Sequence, residues 1–182
     1  LRPVDMEVAR FLVGRLGKGE HAASAMVHMG ETALPLLEDA LLGGDARASG
    51  EVAEVLVLAG QLGEPTLVKG MASERVEVRS ACIYALYRRP ADPPVDHTLL
   101  EAVARLCRDA DTQMRRLARD LLCRDAAHAP DLVVAALRDA DARVREETAT
   151  GLPAGSATPE PVLAALKTLL DNPDIEVRKS AL

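Results

Sequence analysis

The sequence predicts an all-α fold, specifically an α-solenoid of about six helical hairpins and so about twelve helices. Three observations carry this. A phrase built from an acidic turn, an apolar residue, an Arg and a small or apolar stripe occurs four times: ERVEVRSACIYAL from Glu74, DADTQMRRLARDLL from Asp109, DADARVREETATGL from Asp139 and NPDIEVRKSAL from Asn172. Its arginines, Arg79, Arg115, Arg145 and Arg178, are spaced 36, 30 and 33 residues apart, the length of one helical hairpin. Between the phrases lie stretches with apolar residues at three- and four-residue spacing, the period of a helix with one buried face.

The first pair of helices is the least regular: Val4 to Leu16 and Glu20 to Met29, joined at Gly17, Lys18 and Gly19. GETALPLLEDALL from Gly30 opens the second pair. Gly43 and Gly44 turn the chain, and Asp45, Ala46 and Arg47 begin a helix through Leu58, with Arg47 placed 32 residues before Arg79 in the ladder's register. In the later pairs Asp111, Asp141 and Asp174 each stand four residues before their Arg, where a short carboxylate can accept from the free amides of a first helical turn. Counting from the Arg, the positions one before, three after and seven after share a face: Val78, Cys82 and Leu86; Met114, Ala118 and Leu122; Val144, Thr148 and Leu152. That face is the predicted core. The partner helices present Leu99, Val103 and Leu106; Leu132, Val133, Ala136 and Leu137; and Leu163, Leu166 and Leu170. Pro65, Pro130 and Pro159 punctuate their starts, where a missing amide costs little. The hairpins so defined are 4–29, 31–60, 64–88, 95–124, 129–152 and 159–182, one repeat domain over 1–182. The last helix is scarcely two turns long where the sequence stops. Two expectations follow, continuation in a longer chain or packing of that helix against something else.

Composition narrows the function. Hydrophobic residues make up 48 % of the chain, yet Phe11, Tyr84 and Tyr87 are its only aromatics, so Leu, Val and Ala must fill the interior and few rings remain for stacking on bases or sugars. A net charge of −6 argues against nucleic acid as a partner. Residues 61–124 carry 11 basic and 9 acidic groups, whereas residues 1–60 carry 5 and 9 and residues 125–182 carry 6 and 10, so only the middle is positive. Cys82, Cys107 and Cys123 show neither disulfide nor zinc spacing and fit a reducing cytoplasm. Cys82 is expected buried and Cys123 partly exposed near Arg116, Arg119 and Arg124. No apolar run is long enough for a membrane span, and charges interrupt the opening LRPVDMEVARFLVGRL, so no signal peptide is visible there.

GETALPLL followed by a turn and the Asp-to-Arg phrase resembles HEAT repeats, in particular the bacterial HEAT-like class also found in phycobilisome chromophore lyases. The resemblance spans nearly the whole chain, is strongest from Glu64 onward, and specifies fold far better than function. It implies that Arg79, Arg115, Arg145 and Arg178, with Asp111, Asp141 and Asp174, form a structural ladder between repeats, the arginines pairing with turn acids such as Asp109, Asp111, Asp139 and Asp141. It also implies that second helices face the concave side. The positions one, five and eight after the Arg would then line that side: Ala48, Val52 and Val55; Ser80, Tyr84 and Tyr87; Arg116, Asp120 and Cys123; Glu146 and Thr150.

Tyr84, Tyr87, Arg88, Arg116 and Arg119 lie in the one positive segment and are of the residue types that dominate interface hot spots. They are the candidate partner-binding residues, facing a protein partner with an acidic segment. No catalytic residue, metal ligand set or cofactor is predicted: the His-Glu pairs of HEAT-like hydroxylases are absent, and the paired aspartates occupy turns where capping explains them. The expected function is a non-catalytic, cytoplasmic protein-interaction scaffold with no membrane, nucleic-acid or small-molecule ligand. The alternatives are a bilin-lyase-type subunit or a toxin-immunity protein that neutralises a cognate effector.

Overall fold

The computed structural model describes residues 3–15, 20–90, 93–152 and 158–179, which form twelve α-helices, two short 3-10 turns and no strand. The linking turn expected at 17–19 and the end of the last hairpin beyond 179 lie outside these residues. The chain divides into two compact units, Leu1–Arg89 and Pro90–Leu182. The first holds α1 (Pro3–Val13), α2 (Glu20–Met29), α3 (Leu34–Gly43), α4 (Ala46–Leu58), α5 (Glu64–Met71) and α6 (Val76–Arg88). The second holds α7 (His97–Leu106), α8 (Thr112–Arg124), α9 (Pro130–Leu137), α10 (Ala142–Gly151), α11 (Glu160–Leu170) and α12 (Ile175–Lys179). Among the described residues no helix is long and apolar enough to cross a membrane.

Within each unit the main packing partners lie one or two places apart in chain order. In the first, α4 packs on α3, α5 and α6; in the second, α9 packs on α7, α10 and α11. The core is aliphatic, as the composition requires, with Leu37, Leu41, Leu56, Leu67 and Ile83 buried in the first unit and Leu100, Leu121, Leu122 and Leu137 in the second. The predicted core face of the second helices is buried: Val78, Cys82 and Leu86 on α6, Met114, Ala118 and Leu122 on α8, and Val144 and Thr148 on α10. Gly30 and Gly60, with φ of +54° and +58°, each start a 3-10 turn that leads into the next helix, a conformation that costs a residue without a Cβ little.

The recurring phrase folds into one recurring turn. Asp109 Oδ1 accepts from the Asp111 amide (2.9 Å), and Asp111 Oδ1 in turn caps α8 by accepting from the amides of Gln113 (2.8 Å) and Met114 (3.0 Å). Arg115, one turn into the helix, folds back and donates from Nη1 to the carbonyls of Asp109 (2.6 Å) and Ala110 (2.9 Å). The same arrangement recurs at Asp139, Asp141 and Arg145, with 2.8 and 3.0 Å to the Asp139 and Ala140 carbonyls. Before α12 Asn172 Oδ1 accepts from the Asp174 amide and Arg178 Nη1 donates to the Asn172 and Pro173 carbonyls at 2.8 and 2.9 Å. At the start of α6, Ser73 Oγ takes the first aspartate's place, accepting from the Arg75 amide, while Arg79 Nη1 donates to the Ser73 and Glu74 carbonyls at 2.9 Å each. These bonds lie inside one turn rather than between helix pairs. The aspartate carboxylate answers the free amides at the helix start, and the guanidinium answers the carbonyls of the turn that precedes it.

Ties from one pair to the next come from other residues. Arg75 donates to the Leu42 and Gly44 carbonyls, both at 2.8 Å, at the end of α3, and Lys69 pairs with Glu38 at 2.7 Å. In the second unit Arg108 pairs with the buried Asp139 carboxylate, and His97 Nε2 lies 3.2 Å from Asp131 Oδ2.

Two predicted registers are corrected. The ladder position on α4 belongs to Ser49, not to Arg47: the N-cap is Asp45, and its fourth successor is Ser49, whose buried Oγ donates to the Leu41 carbonyl at 2.9 Å. Arg47 points outward and pairs with Glu51 at 2.9 Å. On α11 the buried face is Val162, Ala165 and Leu169, one residue away from the predicted Leu163, Leu166 and Leu170. The run PVLAALKTLL is apolar on two adjoining faces about 100° apart, and periodicity alone does not choose between them.

Replacing Arg115 by Met is expected to cost about 1–3 kcal/mol of stability, read by urea denaturation, because a charged donor to two turn carbonyls is lost while the stem is kept. The α11 register predicts that Leu169→Asp, at a 6 % exposed site, lowers stability by about 3 kcal/mol or more. Leu170→Asp, at a 41 % exposed site, should stay within about 1 kcal/mol of the parent in the same measurement.

Candidate partner-binding surface

The five candidate residues divide between the units: Tyr84, Tyr87 and Arg88 on α6 in the first, Arg116 and Arg119 on α8 in the second. On α6 the helical period turns Val78, Ala81, Cys82, Ala85 and Leu86 inward, which leaves Tyr84 and Tyr87 outward at 42 % and 41 % exposure. Both tyrosines of the chain are therefore surface residues. Arg88, one turn beyond Tyr84, donates from Nη1 to Glu54 Oε1 of α4 at 2.7 Å.

Tyr84 and Arg88 border a groove of about 410 Å³ between α4 and α6. Ala46, Gly50 and Glu54 line it from α4; Glu77, Ser80, Ala81, Tyr84, Ala85 and Arg88 line it from α6. Ala48 on the predicted strip is half-buried, and Val52 and Val55 are buried in the core, so they do not line it. The cause is the register: counted from Ser49, the positions one and five onward are Gly50 and Glu54, two of the groove's residues. Glu54 and Gly50 are thus the site residues that counting from Arg47 misses, and the N-cap signature of Asp45 is the signal that finds them.

On α8, Arg116 is exposed and lies 3.9 Å from Asp120, while Arg119 is largely covered. Arg119 donates to Asp120 Oδ1 from Nε (3.0 Å) and Nη2 (2.6 Å), and its Nη1 lies 3.7 Å from Glu147 on α10. Its stem runs beside Gly151 at the end of α10, so it holds two helices together more than it faces solvent. Glu146 and Thr150 of the predicted strip are exposed on α10.

Cys123 corrects a further expectation. It is 1 % exposed, not partly open, because α10 closes over it: its Sγ lies 3.7 Å from the Thr148 carbonyl and packs near Gly151. Burial pushes the Cys82, Cys107 and Cys123 thiols up to about 12, against which the nearby Arg119 guanidinium works only partly at Cys107 and Cys123. At neutral pH they are protonated, buried and poor nucleophiles. Among the described residues no three His, Cys, Asp or Glu side chains come together as a metal site would require.

No family model matches the chain, and no curated protein matches it. Among solved structures, an engineered protein is similar at 21 % identity and a TM-score of 0.47, over 95 % of this chain and 85 % of that one.

The thiol environment sets a pH-dependent outcome. A cysteine near 9 when unfolded and about 12 when folded favours the folded state below pH 9, and this contribution is lost as pH rises from 9 towards 12. Iodoacetamide at pH 8 should leave all three thiols of the folded protein essentially unlabelled over a time that labels them fully in denaturant, with mass spectrometry as the readout. Rapid labelling of Cys123 in the folded protein would show that α10 does not cover it.

Proposed function

We propose that the chain is a HEAT-like α-solenoid that acts as a non-catalytic protein-interaction module in a reducing cytoplasm. The solenoid reading is supported by helix pairs at about thirty-residue intervals, by one turn design recurring at Ser73, Asp109, Asp139 and Asn172, and by packing between near neighbours in each unit. The observation that carries the functional reading is the outer face of α6. A helix whose inward face is fully packed still spends the only two tyrosines of the chain on solvent, and one of them borders an open groove. Tyrosine brings large contact area and a polar tip at low entropic cost, which suits recognition better than solubility.

The charges refine the partner. Arg88 already faces Glu54, and Arg119 already faces Asp120 and Glu147, so the basic excess of the middle segment is largely met within the chain. Arg116 is exposed and its nearest carboxylate, Asp120, lies 3.9 Å away, beyond hydrogen-bond reach, so it is the best candidate to meet a partner's carboxylate. On each unit taken by itself, a partner segment of mixed charge is better matched than a uniformly acidic one. Three protonated, buried thiols are consistent with a role in presentation rather than nucleophilic chemistry.

The test is affinity purification from the native source with the tagged protein, followed by identification of what is retained. Tyr84→Ala is expected to weaken retention by about 2 kcal/mol, roughly thirtyfold, and Arg116→Glu by less, with helicity unchanged by circular dichroism. Retention equal to the parent's in both variants would place the binding surface elsewhere.

A further inference from the structure

Resting on that reading, we propose that the groove between α4 and α6 receives a single arginine or lysine side chain from an extended segment of the partner, with Tyr84 and Glu77 as its main contacts. The first observation is Gly50. It lies in the middle of α4, where glycine is about 1 kcal/mol less favourable than alanine, and nothing within 4 Å would meet a Cβ built on it. Packing within the protein therefore does not require glycine there. What glycine preserves is open space in the groove, whose lining is otherwise small at Ala46, Ser80, Ala81 and Ala85.

The second observation is the chemistry of the walls. Tyr84 offers a ring at the side of the groove, and a cation over an aromatic face is attracted by the ring's quadrupole. At one end Arg88 and Glu54 close on each other at 2.7 Å and neutralise each other. At the other end the Glu77 carboxylate is exposed and is the group left to meet an incoming cation. Small residues along the groove, most of them alanine, with a ring beside and an acid at the end, match an aliphatic stem with a cationic head. The volume, about 410 Å³, lies in the range of sites that hold small groups. A carboxylate side chain in the same place would meet Glu77 unfavourably and find Arg88 already engaged.

The probe is a capped hexapeptide of alanines with one central arginine, titrated into isotopically labelled protein, with the amides of Gly50, Ser80 and Tyr84 followed by NMR. The control carries glutamate in place of arginine. The arginine peptide should shift these amides saturably, and Glu77→Gln, Tyr84→Ala and Gly50→Leu should each weaken binding by about tenfold. Gly50→Leu fills the groove from a position with room for a side chain and raises helix propensity, so it is expected to fold at least as well as the parent. The inference fails if the glutamate peptide binds equally, if neither peptide shifts these amides, or if the shifts survive Gly50→Leu, which would mark diffuse attraction to an acidic protein. It also fails, with the module reading left standing, if a captured native partner is lost with Tyr84→Ala but retained by Gly50→Leu.

Discussion

A guanidinium that folds back onto its own helix start is the interaction on which the rest of this structure depends. A helix pair of about thirty residues must reverse direction in a few residues, and that reversal leaves turn carbonyls without a helical partner. Arg79, Arg115, Arg145 and Arg178 each donate from Nη1 to the carbonyls six and five residues earlier. The residue six before the Arg bonds the amide two residues on, and in three of the four turns the residue four before it is an aspartate at the mouth of the helix. Once the turn is fixed, the face at positions one before and three after the Arg has only one direction to point. The aliphatic core and the outward tyrosines both follow from that geometry.

The division between pairs and within pairs is equally physical. Closure of each turn is local and nearly uniform, whereas the ties between successive pairs differ from one to the next. Arg75 reaches two carbonyls at the end of α3, Lys69 reaches Glu38, and Arg108 reaches the Asp139 carboxylate. Exposed pairs such as Lys69 with Glu38 contribute little, about 0–1 kcal/mol, and the packing of Leu and Ala between helices must supply most of the cohesion.

How far the amino-acid order revealed this depends on the residue. Twelve helices, the caps at Asp111 and Asp141 and the buried faces of α6, α8 and α10 are readable because turn chemistry and apolar period agree there. The two failures of register occur where one of those signals is missing. On α4 the ladder arginine is replaced by Ser49, and a nearby Arg47 drew the count two residues off. On α11 the apolar residues are so dense that two faces qualify, and only packing selects Val162, Ala165 and Leu169. The groove was hidden for the same reason as Ser49, since Gly50 and Glu54 come into line with Ser80 and Tyr84 only when counted from it. The burial of Cys123 is set by α10, which lies over it, and the sequence of α8 alone carries no sign of that cover.

Local closure has a bearing on how such a chain can grow. A helix pair whose arginine donates to carbonyls five and six residues earlier carries those bonds within its own sequence. A duplicate would enter the array with its hairpin already specified, and only the contacts to its two neighbours would have to be negotiated anew. The spacings of 36, 30 and 33 residues show that the connecting stretches differ in length while the arginine keeps the same five- and six-residue reach in each turn.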